Sequence, residues 1–283
     1  MDHVVDTSRL RKSELTNALQ SATPGDRFIL ADTAILETMK NAQWESTARS
    51  SFRIIAQYPT RIWVAEAPGD LLRAELATGH ETQDIIDAPM SGGFRALLQE
   101  IASGVDGPAI AHVRTQVPAA QTDLAQQQQN HAANLQGLRI AFEGIGSSID
   151  IAGYRRIADP QQKEMLRLHR IKTLAQASLR KFVELEGKPA DLGNALANGR
   201  GILLRFQIGY YCLGFKWAVN NGLDSFPAEK ATNEIMDLDH ALIATYCEDI
   251  LTEENSVREL RHDILQVLNS NIQFAPAAAA PTN

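Results

Sequence analysis

The stretch from Asn233 to Glu254 constrains this chain more than any other. Leu238, Ala241, Leu242 and Thr245 recur at helical spacing and make one apolar face. Ile250-Leu251 then reads as a short buried strand. A helix that runs straight into so short a strand needs a sheet to pack against, which directs the chain to an α/β fold. Acids bracket this unit. Asp237 and Asp239 are placed in the first helical turn, where free N–H groups and the helix dipole favour negative charge. Glu253 and Glu254 follow the strand's carboxyl end, the edge at which open α/β sheets present ligands. Carboxylates converging on one edge are the donors a hard divalent cation takes.

A partner lies far upstream. Phe28-Ile29-Leu30-Ala31 reads as an apolar strand ending in Asp32, with a helix through Lys40 beyond it. Glu37 in that helix is equally a supporting acid or a surface residue. A helix is expected over 44–58, closed by Tyr58-Pro59, and a second strand over 61–66. Ala67-Pro68-Gly69-Asp70 breaks the chain, Asp70 N-caps a helix over 71–78 that carries Glu75, and Gly79 ends it. Strand, helices, strand, helix is the order of a parallel sheet.

From about 81 to 200 the text is helical, punctuated by Ser91-Gly92-Gly93, Gln126–Gln129 and Gly144–Ser148. Residues 154–181 hold eight Lys and Arg against Asp159 and Glu164, a local excess of +6 in a chain of net charge -7. Arg155, Arg156, Arg167, Arg170 and Lys172 are the candidates for a phosphate-tracking surface, with a solvated helix face as the plainer reading. Residues 201–221 read as an apolar helix ending at Gly222, its aromatics Phe206, Tyr210, Tyr211, Phe215 and Trp217 belonging to the core. A further helix is expected over 255–268. The organisation expected is a helical segment at 1–26, a core in two parts (27–80 and 201–268), a helical insertion at 81–200, and a disordered tail at 269–283.

The 44% hydrophobic and 22% charged content is that of an ordinary globular protein. The negative charge argues against uniform coating of nucleic acid. Cys212 and Cys247 lack metal spacing and suit a reducing compartment as small core residues. Five of the seven histidines, His112, His131, His169, His240 and His262, show no ligand spacing either, so zinc is not expected. The N-terminus shows no basic-then-apolar leader, and no stretch of about 18 apolar residues is present. A cytoplasmic protein without a membrane partner is the expectation.

With these residues in view the chain resembles the PIN-domain nucleases. Ile29-Leu30-Ala31-Asp32-Thr33 resembles their first motif, Asp70 to Gly79 with Glu75 their second, the helix near Asp237 their third, and Leu251-Thr252-Glu253-Glu254 their fourth, where Thr-x-Asp is usual. The likeness spans about 27–79 and 201–265. It implies a three-layer PIN-like α/β fold with a central parallel sheet and a large helical insertion. It also implies a metal-dependent endoribonuclease hydrolysing RNA phosphodiester bonds with Mg²⁺ or Mn²⁺. Asp32, Glu75, Asp237 and Glu254 would be catalytic, and these four with Asp239 would be metal ligands. For the third acid Asp237 is preferred, then Asp239, with Glu234 as the remaining candidate. Thr252 would hydrogen-bond a ligand carboxylate or the phosphate. A protein regulator and a second copy of the chain are the other partners such a protein takes. The alternative is a catalytically inactive PIN-like scaffold acting as a protein-interaction module, and a small-molecule phosphohydrolase is a third.

Overall fold

A computed structural model describes residues 1–220 and 226–270. Strand β1 (Asp2–Val5) is followed by helix α1 (Ser13–Ser21), strand β2 (Arg27–Leu30), helices α2 (Asp32–Met39) and α3 (Trp44–Phe52), strand β3 (Ile62–Val64) and helix α4 (Pro68–Thr78). A helical tract then runs through α5 (Ala88–Ser103), α6 (Pro108–Gln129), α7 (His131–Ser148), α8 (Ile151–Arg156), α9 (Pro160–Leu185) and α10 (Ala190–Asn198). Helices α11 (Ile202–Asn220) and α12 (Ala228–Ala244), strand β4 (Asp249–Leu251) and helix α13 (Asn255–Asn269) complete it.

The chain is therefore α/β and mostly helical, around one four-stranded parallel sheet of order β3-β2-β1-β4. β1 is central, with Val4 opposite Ile29 on one side and Ile250 on the other. The helical segment expected at 1–26 holds for α1, but its start is a strand, because four residues with only Val4 and Val5 apolar in succession leave little pattern to read. Parallel pairing sends every strand's carboxyl end to one edge, so Asp6, Asp32 and Thr252 all emerge there.

Successive side chains on a strand face opposite sides, and the two cores follow that rule. Val4, Ile29 and Ile250 pack into one core with residues of α4, α7, α9, α11, α12 and α13. Val5, Phe28, Leu30, Ile62 and Val64 pack into the other with α1, α2, α3, α5 and α6. Helix α11 is apolar nearly all round because helices enclose it, and it runs closely past α7 and α12. A Cβ at Gly214 would lie 2.9 Å from the Ala141 methyl, and one at Gly209 would lie 2.3 Å from a Leu238 methyl. Tyr211 and Phe215 are buried in this core, and Phe206, Tyr210 and Trp217 pack against it.

Element bounds differ from expectation in instructive ways. Helix α12 starts at Ala228 with Pro227 as its N-cap, so Asp237 and Asp239 lie well inside it and not in its first turn. Asp70 sits in the first turn of α4 and Ala67 holds the cap position, while Gly79 closes the helix at φ 71°. The expected helix over 44–58 ends at Phe52. Ser91-Gly92-Gly93, Gln126–Gln129 and Gly144–Ser148 all fall inside helices, because tertiary packing overrides weak local breakers. Gly222 lies outside the described residues, as do positions 271–283 of the expected tail. Among the described residues no helix is long and apolar enough to cross a membrane.

Candidate active site

Four acids from four separate segments line one cavity of about 410 Å³ at the sheet's carboxyl edge. Asp6 follows β1, Glu37 lies on α2, Asp237 on α12, and Glu254 precedes α13; Thr7, Ser8, Met236 and His240 complete the wall.

Asp6 is the most fixed of the four, with 4% of its surface exposed. Its Oδ2 accepts from the Thr252 hydroxyl at 2.6 Å and the Ser8 hydroxyl at 2.7 Å, and its Oδ1 accepts from Thr7 at 3.2 Å. Burial alone would raise this carboxyl. The bond from Thr252, the nearby His240 and the bonds from Ser8 and Thr7 together outweigh it, so Asp6 sits below its ordinary value. The one Thr7 hydroxyl proton is shared with Glu37 Oε2, the nearer acceptor at 2.8 Å, which ties the second acid to the first.

Asp237 accepts from the Ser256 hydroxyl at 2.7 Å. Burial pushes its carboxyl up, the Ser256 bond and His240 oppose this, and Asp6 adds to it. Glu254 is exposed at the N-cap of α13, and its backbone N–H donates to Thr252 Oγ1 at 2.9 Å. One hydroxyl thus fixes both the Asp6 carboxylate and the turn that carries Glu254. Thr252 was expected to hydrogen-bond a ligand carboxylate or the phosphate; in the fold its hydroxyl bonds Asp6, an acid outside the expected set.

His240 is buried between two acid groups. Its Nε2 lies 2.8 Å from Thr33 Oγ1, and its Nδ1 lies 3.7 Å from Asp6 Oδ1. The sequence assigned this histidine no role, since its two partners, Thr33 on α2 and Asp6 after β1, lie more than two hundred positions upstream.

Of the expected acids, Asp237 and Glu254 line the cavity, while Asp32, Asp239 and Glu75 do not. Residues two apart on a helix point about 200° apart, so Asp237 and Asp239 cannot both face one ion from α12. Asp239 turns toward Asp32 instead. Burial, then the charge of Asp32, pushes it up to about 7. Burial likewise raises Asp32, whose Oδ1 is enclosed without a hydrogen-bond partner. Glu234 is buried on α12 outside the cavity lining, its carboxyl raised by burial.

Glu75 is corrected outright. It is 1% exposed and accepts from the backbone N–H groups of Ile202 at 2.9 Å and Leu203 at 3.1 Å. It accepts as well from the Thr82 N–H at 2.9 Å and the Thr82 hydroxyl at 3.1 Å. These bonds make it the cap of α11, where a carboxylate meets the unpaired amides and the positive dipole end.

The expected basic surface is also largely committed elsewhere. Arg155 donates to the Val219 carbonyl at 2.9 Å, Arg167 pairs with Glu164 and Asp263, and Lys172 donates to the Ser270 carbonyl at 2.6 Å. Arg170 has a buried Nε without a partner, and Arg156 is exposed. Along α13, at about 1.5 Å per residue, Asp263 and Ser270 lie roughly 13 and 24 Å from Glu254. Arg167 and Lys172 therefore serve the far half of that helix.

A second cavity of about 290 Å³ shares Thr7, Ser8 and Glu37 with the acid cavity and adds Arg11, Lys12, Thr38, Lys40, Thr47 and Ser51. Basic side chains thus adjoin the acids directly, on the opposite side from the strip that the composition singled out.

Oxygen donors of this kind suit Mg²⁺ or Mn²⁺. As placed, no group of three or more His, Cys, Asp or Glu among the described residues stands close enough to hold a metal ion. Comparison with protein-family models, with curated proteins and with solved structures finds no match to this chain.

Proposed function

We propose that the chain is a PIN-type, Mg²⁺- or Mn²⁺-dependent endoribonuclease that works at Asp6, Glu37, Asp237 and Glu254. One observation carries the reading: carboxylates from four separate segments line a single cavity at the carboxyl edge of a parallel sheet. The helices on both faces support a three-layer PIN-like core, with the tract from Ala88 to Asn198 as its insertion. The two buried cysteines, unpaired with each other, suit a cytoplasmic setting.

A divalent ion, when bound, supplies charge neutralisation at the scissile phosphate and activation of water. Asp6 is the anchor, held ionised and oriented by Thr252 and Ser8. Asp237, whose carboxyl burial raises, would be the second carboxylate to hold the cation. Glu37 and Glu254 would complete the set of carboxylates, with either placed to orient the attacking water. With purified protein, labelled RNA and Mn²⁺, cleavage is expected from the wild type and lost in Asp6→Asn and Asp237→Asn. Unchanged cleavage in both variants would sink the site.

A second reading, the inactive scaffold that binds a partner protein, draws on the lack of any ready three-ligand group among the described residues. Calorimetry with Mn²⁺ separates the two. The nuclease binds the ion in an Asp6-dependent manner, and the scaffold does not.

A further inference from the structure

We propose that the basic cavity beside the acids is a phosphate groove, which seats the stretch of single-stranded RNA immediately flanking the bond to be cut. The inference rests on the nuclease reading for the position of that bond, and its cations, Arg11, Lys12 and Lys40, are distinct from the acids.

The groove adjoins the acid cavity, the two sharing Thr7, Ser8 and Glu37 in their walls. A strand lying in one therefore passes beside the other. Arg11 is held in place by a neutral acceptor: its Nε and Nη2 donate to Ser51 Oγ at 3.1 and 2.7 Å, and Ser51 is buried. Among the described residues Arg11 has no acidic partner, and neither does Lys40 at the end of α2. Lys12 meets Glu253 at 3.3 Å in an exposed pair that a stronger anion can replace. An oriented guanidinium with spare N–H donors, two ammonium groups and the Thr47 hydroxyl match the oxygens of a phosphodiester.

Charge supplies the reason for such a groove. The chain carries -7 overall, and four carboxylates line the neighbouring cavity, so an approaching polyanion is repelled unless cations stand beside them. A free phosphate would make no use of the acid cavity next door, whereas a strand laid along this edge meets both. The cavity is too small for a duplex, which favours one strand.

The test measures binding of a short fluorescent single-stranded RNA in EDTA, by anisotropy at several salt concentrations, for the wild type, Arg11→Gln/Lys40→Gln, and Arg156→Gln/Lys181→Gln. Removing two phosphate contacts is expected to weaken binding about tenfold and to lower the log–log salt slope by about 1.4, with the second pair of substitutions leaving both unchanged. Wild-type binding retained in Arg11→Gln/Lys40→Gln, an equal loss in both double variants, or displacement of the RNA by equimolar inorganic phosphate overturns the groove. Cleavage with Mn²⁺ is scored in parallel. RNA bound through Arg11 and Lys40 but not cut keeps the groove and discards the nuclease. RNA cut normally by Arg11→Gln/Lys40→Gln, with unaltered binding, does the reverse. No RNA binding by the wild type overturns both.

Discussion

The Thr252 hydroxyl donates to Asp6 Oδ2 at 2.6 Å across 246 positions of sequence, and its oxygen accepts the Glu254 N–H at 2.9 Å. Thr252 is wholly buried, and its bond to Asp6 is shielded from water. Thr252→Val keeps the shape and removes the hydroxyl, leaving a buried carboxylate oxygen short of a donor. The expected cost is about 1–3 kcal/mol in urea denaturation. Thr252→Ser should recover most of it, and equal losses in the two variants would assign the cost to packing.

Asp6 and Asp32 make the sharpest comparison, since both follow a strand and both precede a threonine. Asp6 lines the acid cavity with its oxygens engaged, whereas Asp32 lies outside it with one enclosed oxygen unpartnered. Under the nuclease reading Asp6→Asn lowers Mn²⁺-dependent cleavage at least a hundredfold, on the order of 3 kcal/mol of transition-state stabilisation. Asp32→Asn should leave cleavage within a fewfold of wild type and not reduce stability. Rates measured at saturating Mn²⁺ that reverse this order would return the site to Asp32.

What could be read in advance depended on whether the signal was local. Four consecutive apolar residues before Asp32 announced β2, and Gly79 announced the end of α4, because each needs only its neighbours. β1 escaped because two valines make no visible period, yet Val4-Val5-Asp6-Thr7 repeats the form of Leu30-Ala31-Asp32-Thr33, and that repeat was available. Pro227 before a polar turn likewise marked the true start of α12. The opposed faces of Asp237 and Asp239 followed from their spacing alone. No local pattern could show that Glu75 caps a helix more than a hundred residues later, or that Arg167 is spent on Asp263. Those assignments exist only once the chain has folded.

Glu75 is expected to matter for stability and not for chemistry. It is a buried carboxylate that accepts from Ile202, Leu203 and Thr82, and Gly201 packs against it so closely that an added Cβ would lie 2.3 Å from its oxygens. Glu75→Ala leaves the first amides of α11 without partners in the core and should cost about 3–5 kcal/mol. Gly201→Ala should also destabilise, by about 1–3 kcal/mol from overpacking. Both are read from denaturation midpoints. A Glu75→Ala variant of undiminished stability would remove the capping role.

Asp239 gives the chain an acid-side preference that can be measured. In an unfolded chain an aspartate titrates near 3.9, whereas burial, reinforced by the charge of Asp32, pushes this one up to about 7 in the fold. Between those values the folded state holds a proton that the unfolded state has released. The contribution to stability is therefore full below about pH 4, declines as pH rises, and is gone above about pH 7. At about 1.4 kcal/mol per unit, the span is at most on the order of 4 kcal/mol. Asp239→Asn keeps the size and cannot ionise, so its stability relative to wild type should grow steadily from pH 4 to pH 7 and then level off. Denaturation midpoints that stay parallel for the two proteins across this range would show that Asp239 titrates as an ordinary solvated acid.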